Sequence, residues 1–190
     1  SGTNLPLKTS KRSGQYCAAR RELMLTKTIN DALNAQINEE LFSAYYYLAM
    51  SAKADSMGLP GFANWFKLQY LEELSHADRF FTYILERDGE VALDAIAKPE
   101  VEDESILEMF EKTFKHEQHI TQCIFKLKDL AGGESDHATD VFLEWFVSEQ
   151  VEEEATSRAI IDQLRMVEGN RSGLFMVDRE LAARQASDGE

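Results

Sequence analysis

Residues 69–76 read Gln69-Tyr70-Leu71-Glu72-Glu73-Leu74-Ser75-His76, in the middle of a segment whose apolar residues recur at helical spacing. From about Phe62 to Arg87 one broad face collects Phe62, Trp65, Phe66, Gln69, Glu73, His76, Phe80 and Ile84. Glu73 and His76 stand three apart, so they project from that same face. A carboxylate at a core position is costly unless it is paired or holds a metal. The segment therefore reads as a helix with an apolar stripe at both ends and ligand-type side chains in between.

Three more segments repeat this pattern. The first runs from Thr26 to about Asp55, with Ile29, Leu33, Ile37, Leu41, Ala44 and Leu48 in line and Glu40 midway. The third, roughly residues 104–130, aligns Leu107, Phe110, Phe114, Glu117, Thr121 and Ile124. The fourth, roughly 135–167, aligns Phe142, Phe146, Gln150, Glu153, Ser157, Ile160 and Leu164. Met57-Gly58-Leu59-Pro60-Gly61 and Gly132-Gly133 are turn signals, so segments one and two, and three and four, should run antiparallel. Residues 89–103 carry Pro99 and no apolar period, and a connection that long fits one that crosses the length of a bundle. A short last helix is expected from Leu174 to about Gln185. The fold class that follows is all-α: a four-helix bundle with one long crossover connection plus a short C-terminal fifth helix.

Taken singly, each polar group has an ordinary explanation. A Glu-x-x-His pair on a helix is usually solvated, and the run Glu152-Glu153-Glu154 reads as an outer face. Tyr45, Tyr46, Tyr47 and Trp145 read first as packing aromatics. Their conjunction carries the argument. Breaking the binary pattern on every helix at one level marks function rather than folding. A donor set rich in oxygen with a single imidazole suits Fe, Mn or Mg better than a thiol-seeking ion.

Composition narrows the classes. The 190 residues suffice for one domain with a sizeable core. No apolar run approaches the roughly 20 residues of a membrane span, which points to a soluble protein. Net charge is −14, but residues 1–21 hold Lys8, Lys11, Arg12, Arg20 and Arg21 and no acid. The remainder has 15 bases against 34 acids, a net of −19, which repels nucleic acid and attracts cations. Residues 1–23 form a basic extension with three readings: a scar, the remnant of a transit peptide, or a nucleic-acid-binding arm. The domain proper is expected over 24–190. Cys17 and Cys123 are too few for a disulfide framework and read as thiols.

Four segments then carry a family resemblance: Asn38-Glu39-Glu40-Leu41-Phe42-Ser43, Glu72-Glu73-Leu74-Ser75-His76, Lys115-His116-Glu117-Gln118, and Ser148-Glu149-Gln150-Val151-Glu152-Glu153-Glu154. In this order they resemble the non-haem bacterial-type ferritins of the ferritin-like di-iron superfamily, over essentially Met24 to Gln185. Di-metal bundles of this kind supply a Glu from each of two helices and Glu-x-x-His from each of the others. Here the fourth helix departs from that pattern, with Gln150-x-x-Glu153 and Thr156 where a second His would lie.

The resemblance implies an iron-storage protein with ferroxidase activity, oxidising Fe(II) with O2 and depositing ferric mineral inside a homo-oligomeric shell of 24 subunits. It implies iron at Glu40 and His76, with Glu73 bridging to a second ion held by Glu117 and Glu153. Gln150 would stand beside the pair, and Tyr47 would orient a ligand carboxylate or donate an electron. Glu72, Glu149 and Glu152 match a third iron site. No haem is expected, and neither nucleic acid nor membrane is an expected partner. The implied location is cytoplasmic, or an organelle lumen such as a plastid if residues 1–23 are a presequence remnant. Asp136, His137 and Asp140 are candidates for an iron-access channel or equally for a helix cap. A DNA-protecting mini-ferritin and a metal-free structural bundle are the rival readings.

Overall fold

The computed structural model of the chain describes residues 24–101 and 105–185. Those residues form five α-helices and no strand: α1 Lys27–Ser56, α2 Pro60–Glu86, α3 Ile106–Gly133, α4 His137–Met166 and α5 Arg171–Ala182. The reading of residues 1–23 as an extension falls outside them. At 30 residues each, α1 and α4 are about 45 Å long.

The connections set the topology. α1 and α2 are joined by the turn at 57–59, and α3 and α4 by 134–136, so each pair is antiparallel. The segment from 87 to 101 runs along the bundle. At its start the Glu90 carbonyl accepts from Asn30 and Asn34 near the beginning of α1, while Val101 packs against the cluster holding Ala54 at the far end. α2 and α3 are therefore parallel, the four-helix bundle with a long crossover that the spacing anticipates.

Caps explain where the helices begin. Thr26, Asp136 and Asn170 each accept from backbone N–H groups of the first turn that follows. Ser105 and Glu108 form a reciprocal capping box at the head of α3. α2 starts earlier than its apolar stripe, because Pro60 lacks an N–H and suits the first helical position. Its next two N–H groups, of Gly61 and Phe62, donate to Asp178 Oδ1 of α5 at 2.8 and 3.1 Å. Helix α5 thus supplies the cap that α2 cannot make for itself. The approach is so close that a Cβ on Gly61 would lie 1.6 Å from the Asp178 carbonyl oxygen. α5 begins three residues before Leu174, with Asn170 as its cap, and α3 runs through Gly132 and Gly133 before it stops.

The core divides into two apolar clusters. One, around Met50, Phe62, Trp65, Phe66, Phe110 and Leu164, fills the end nearest α5. The other, around Ile29, Leu33, Phe80, Ile124, Leu143 and Phe146, fills the opposite end. Between them lies a buried polar layer.

Candidate metal centre

Every helix of the bundle contributes to that layer. Glu40 of α1, Glu73 and His76 of α2, Glu117 of α3, and Gln150 and Glu153 of α4 are all at most 5% exposed. Donor atoms of Glu40, Glu73 and His76 lie within 4.8 Å of one another, as do those of Glu72, Glu149 and Glu153. Glu73 and Glu153 feel the Glu117 charge, so the two groups meet in one acidic layer. The helices bring these side chains together because each sits one or two turns from the apolar residues that lock its helix into the core.

A ring of neutral donors holds the carboxylates. Gln36 Nε2 donates to Glu40 Oε1 at 2.8 Å, and Gln69 Nε2 donates to Glu153 Oε2 at 2.8 Å. The Tyr47 hydroxyl donates to Glu117 Oε1, and Gln150 Nε2 donates to Glu117 Oε2 at 3.2 Å. Thr121 Oγ1 bridges the Glu117 carbonyl and Glu154 Oε1 at 3.0 and 2.8 Å. His76 Nδ1 lies 3.2 Å from Glu73 Oε2, and its ring meets Trp145 edge to face at 5.4 Å. Arg184, just beyond α5, donates to Gln69 Oε1 and to Glu72 Oε2 at 2.5 and 3.0 Å.

Electrostatics in this layer favour a cation. Burial, and then the Glu73 charge, push Glu40 well above the usual carboxylate range. Burial likewise raises Glu73, with Glu117 and Glu153 adding like-charge repulsion. Glu117 is raised by burial against the hydrogen bonds from Tyr47 and Gln150, and Glu153 is pushed up to about 8 by burial and the Glu117 charge. Burial also raises the Tyr47 phenol. One oxygen, Glu40 Oε2, is buried with no hydrogen-bond partner at all. A buried carboxylate oxygen that accepts no hydrogen bond is a donor suited to a hard cation.

Other residues singled out by spacing fall elsewhere. Glu72 and Glu149 are half-buried beside Glu153, whereas Glu152 is exposed and stands outside that trio. Asp136 caps α4 through Thr139 N and pairs with Arg87 at 3.0 Å, and Asp140 pairs with Lys128 at 2.7 Å. Spacing alone put Gln69 and Thr121 on inward faces without a role, and passed over Gln36 and Arg184. Gln36 and Gln69 each stand four residues before a buried Glu, on the same stripe, and that polar break was the available signal.

A buried carboxylate layer at the waist of a crossover four-helix bundle is a candidate cation site, the arrangement of the ferritin-like bundles. The profile of the Ferritin family, described as a ferritin-like domain, matches residues 30–167. Bacterial non-heme ferritin from Staphylococcus epidermidis is 41% identical over 165 residues, covering 87% of this chain and 99% of that one. Its counterpart from Staphylococcus aureus is 37% identical over 161 residues, covering 85% and 97%. Among solved structures, an engineered closed form of Archaeoglobus fulgidus ferritin superposes with a TM-score of 0.85 at 43% identity, covering 86% of this chain and 99% of that one. The open-pore ferritin of the same archaeon gives 0.84 at 43%, covering 85% and 98%. The chain belongs to the ferritin family, and iron storage follows from that membership. No helix among the described residues is long and apolar enough to cross a membrane.

Proposed function

We propose that this ferritin is a ferroxidase whose substrates are Fe(II) and O2 and whose product is a ferric mineral held inside a shell of identical subunits. Glu40 and His76 bind the first ferrous ion, Glu117 and Glu153 the second, and Glu73 lies between them. The single observation that carries this reading is the buried layer in which Glu40 Oε2 has no partner and Glu153 is pushed up to about 8. Such carboxylates are held protonated until a cation displaces the protons.

The bound ions supply one electron each, so a pair reduces one O2 to H2O2 with the uptake of two protons. The protein's own part is to bind, orient and shield. Gln36 and Gln69 hold Glu40 and Glu153 by one oxygen each and leave the other for iron. Tyr47 and Gln150 fix Glu117 from two sides, and Trp145 packs on His76 to set its ring. Anionic oxygen donors stabilise Fe(III) over Fe(II), which favours the oxidation. Glu72, Glu149 and Glu153 form the third iron position, in which Glu153 takes the place expected for the exposed Glu152.

One chain supplies a full ligand set, which favours this reading over a DNA-protecting mini-ferritin with sites between subunits. It rests on residues 24–190 acting as one domain, with 1–23 as an extension. Assembly into 24 copies in the cytoplasm, or in an organelle lumen, completes the proposal; haem, membrane and nucleic acid have no part in it. The test is stopped-flow absorbance after two Fe(II) per subunit are mixed with aerobic protein. Rapid O2-dependent ferric absorbance is expected. Its absence in an intact shell would overturn the assignment.

A further inference from the structure

A second group of ligand-type side chains lies outside the bundle core. Glu39 of α1 and His119 and Cys123 of α3 present an oxygen, a nitrogen and a sulfur within 4.8 Å of one another. His119 and Cys123 are one helical turn apart on the same face, the i, i+4 spacing that lets two ligands of one helix reach a single ion. Glu39 faces them from the neighbouring helix. The side chains of His119 and Glu39 are 53% and 37% exposed, so water has access.

Two separations give the group its meaning. His119 Nε2 lies 3.2 Å from Glu39 Oε2 and 3.6 Å from Cys123 Sγ. A tetrahedral zinc with its usual bond lengths would set N···O at roughly 3.3 Å and N···S at roughly 3.6 Å. In the metal-free protein Nε2–H donates to Glu39, and the Cys123 sulfur stands at ordinary van der Waals distance. Nε2 carries either a proton, which serves Glu39, or a lone pair, which serves the thiol. A single cation would engage all three donors at these separations.

From this geometry we infer that Glu39, His119 and Cys123 form a surface site for a borderline divalent cation of the zinc class, with water completing the tetrahedron. Binding forms metal–oxygen, metal–nitrogen and metal–sulfur bonds, and the Cys123 proton leaves to solvent. The ion clamps α1 to α3 behind the inner layer, since Glu39 precedes Glu40 and His119 follows Glu117 by two residues. The donor sets then sort cations by softness: sulfur and nitrogen outside, carboxylates inside. This inference does not rest on iron oxidation.

The test uses Co(II) as a spectroscopic probe of the whole protein, with Cys17→Ser, Cys123→Ser and His119→Ala variants. A near-ultraviolet thiolate-to-cobalt charge-transfer band is expected in the parent and in Cys17→Ser, and zinc should bleach it. Cys123→Ser should abolish the band, His119→Ala should weaken cobalt binding at least tenfold, and both should oxidise Fe(II) at the parent rate. Carboxylate sites lack sulfur and give no such band, so Co(II) in the inner layer does not interfere. The site is disproved if the parent shows no band, if the band survives Cys123→Ser, or if it disappears with Cys17→Ser.

Discussion

The waist of the bundle and its two ends are made by the same four helices and obey opposite rules. At the ends, rings such as Phe62, Trp65, Phe66 and Phe110 are fully buried and pack edge to face or tilted, with centroids 4.9–5.8 Å apart. Every group there favours folding. At the waist, four glutamates sit in the same low-dielectric interior, and each has its pKa raised by burial. Burying those groups opposes folding unless protons or cations neutralise them. The difference teaches that the ends support a layer whose burial opposes folding.

The comparison breaks most easily at an end. Phe110→Ala removes a ring that touches Phe62, Trp65 and Phe66, and should cost about 3–5 kcal/mol. Denaturant unfolding of the metal-free protein measures this, and a loss below about 1 kcal/mol would mean the ends are not the support claimed. Glu73→Gln acts the other way. Fast Fe(II) oxidation should fall more than about 100-fold, beyond the 10–100-fold that partners behind a metal site command. The metal-free form should melt at a higher temperature at alkaline pH, because a buried acid whose ionisation burial, Glu117 and Glu153 oppose is gone.

Titration sharpens the contrast. Glu153 has its pKa raised from 4.5 to about 8 in the fold, so between those values the native state holds a proton that the unfolded chain has released. Stability from this group is complete below about 4.5 and is lost as pH rises through about 8. Melting temperatures of metal-free protein should therefore decline over that window. Mg(II), a redox-inert hard cation suited to the carboxylate layer, should flatten the decline by taking the proton's place. A profile that rises with pH would contradict the burial of these groups as acids. The smallest effect is expected from Arg184→Ala. Arg184 pairs with Glu72 at 3.0 Å across a partly exposed contact, so a cation at Glu72, Glu149 and Glu153 must compete with it. Removing it should tighten Tb(III) binding there about twofold to fivefold, matching an ion pair of about 0.5–1 kcal/mol. Luminescence titration reads the change.

Much of the waist was legible in the chain because its residues break a regular pattern. Glu40, Glu73, Glu117 and Glu153 each occupy a stripe position that neighbours one turn away fill with apolar side chains. Glu152 was different: periodicity placed Glu153 on the stripe, and Glu152, about 100° around the helix, entered only through the resemblance. Here the inward position belongs to Glu153, and Glu152 is exposed. Asp136 allowed two readings from sequence; its bonds to Thr139 and Arg87 account for it as a cap. Arg184 could not have been foreseen, because its partners Gln69 and Glu72 are more than 100 residues away.

By itself the sequence determined the five helices, their inward faces, the crossover and the chemical type of the ligands. All of these follow from periodicity, turn residues and composition within a few turns of chain. Only the tertiary structure decided which glutamates come within reach of one another, that Asp178 caps α2 from another helix, and that Glu39 meets His119 and Cys123 outside the core. Those outcomes depend on the rotation and axial shift of one helix against another. Packing of whole faces sets both, and no local spacing encodes either.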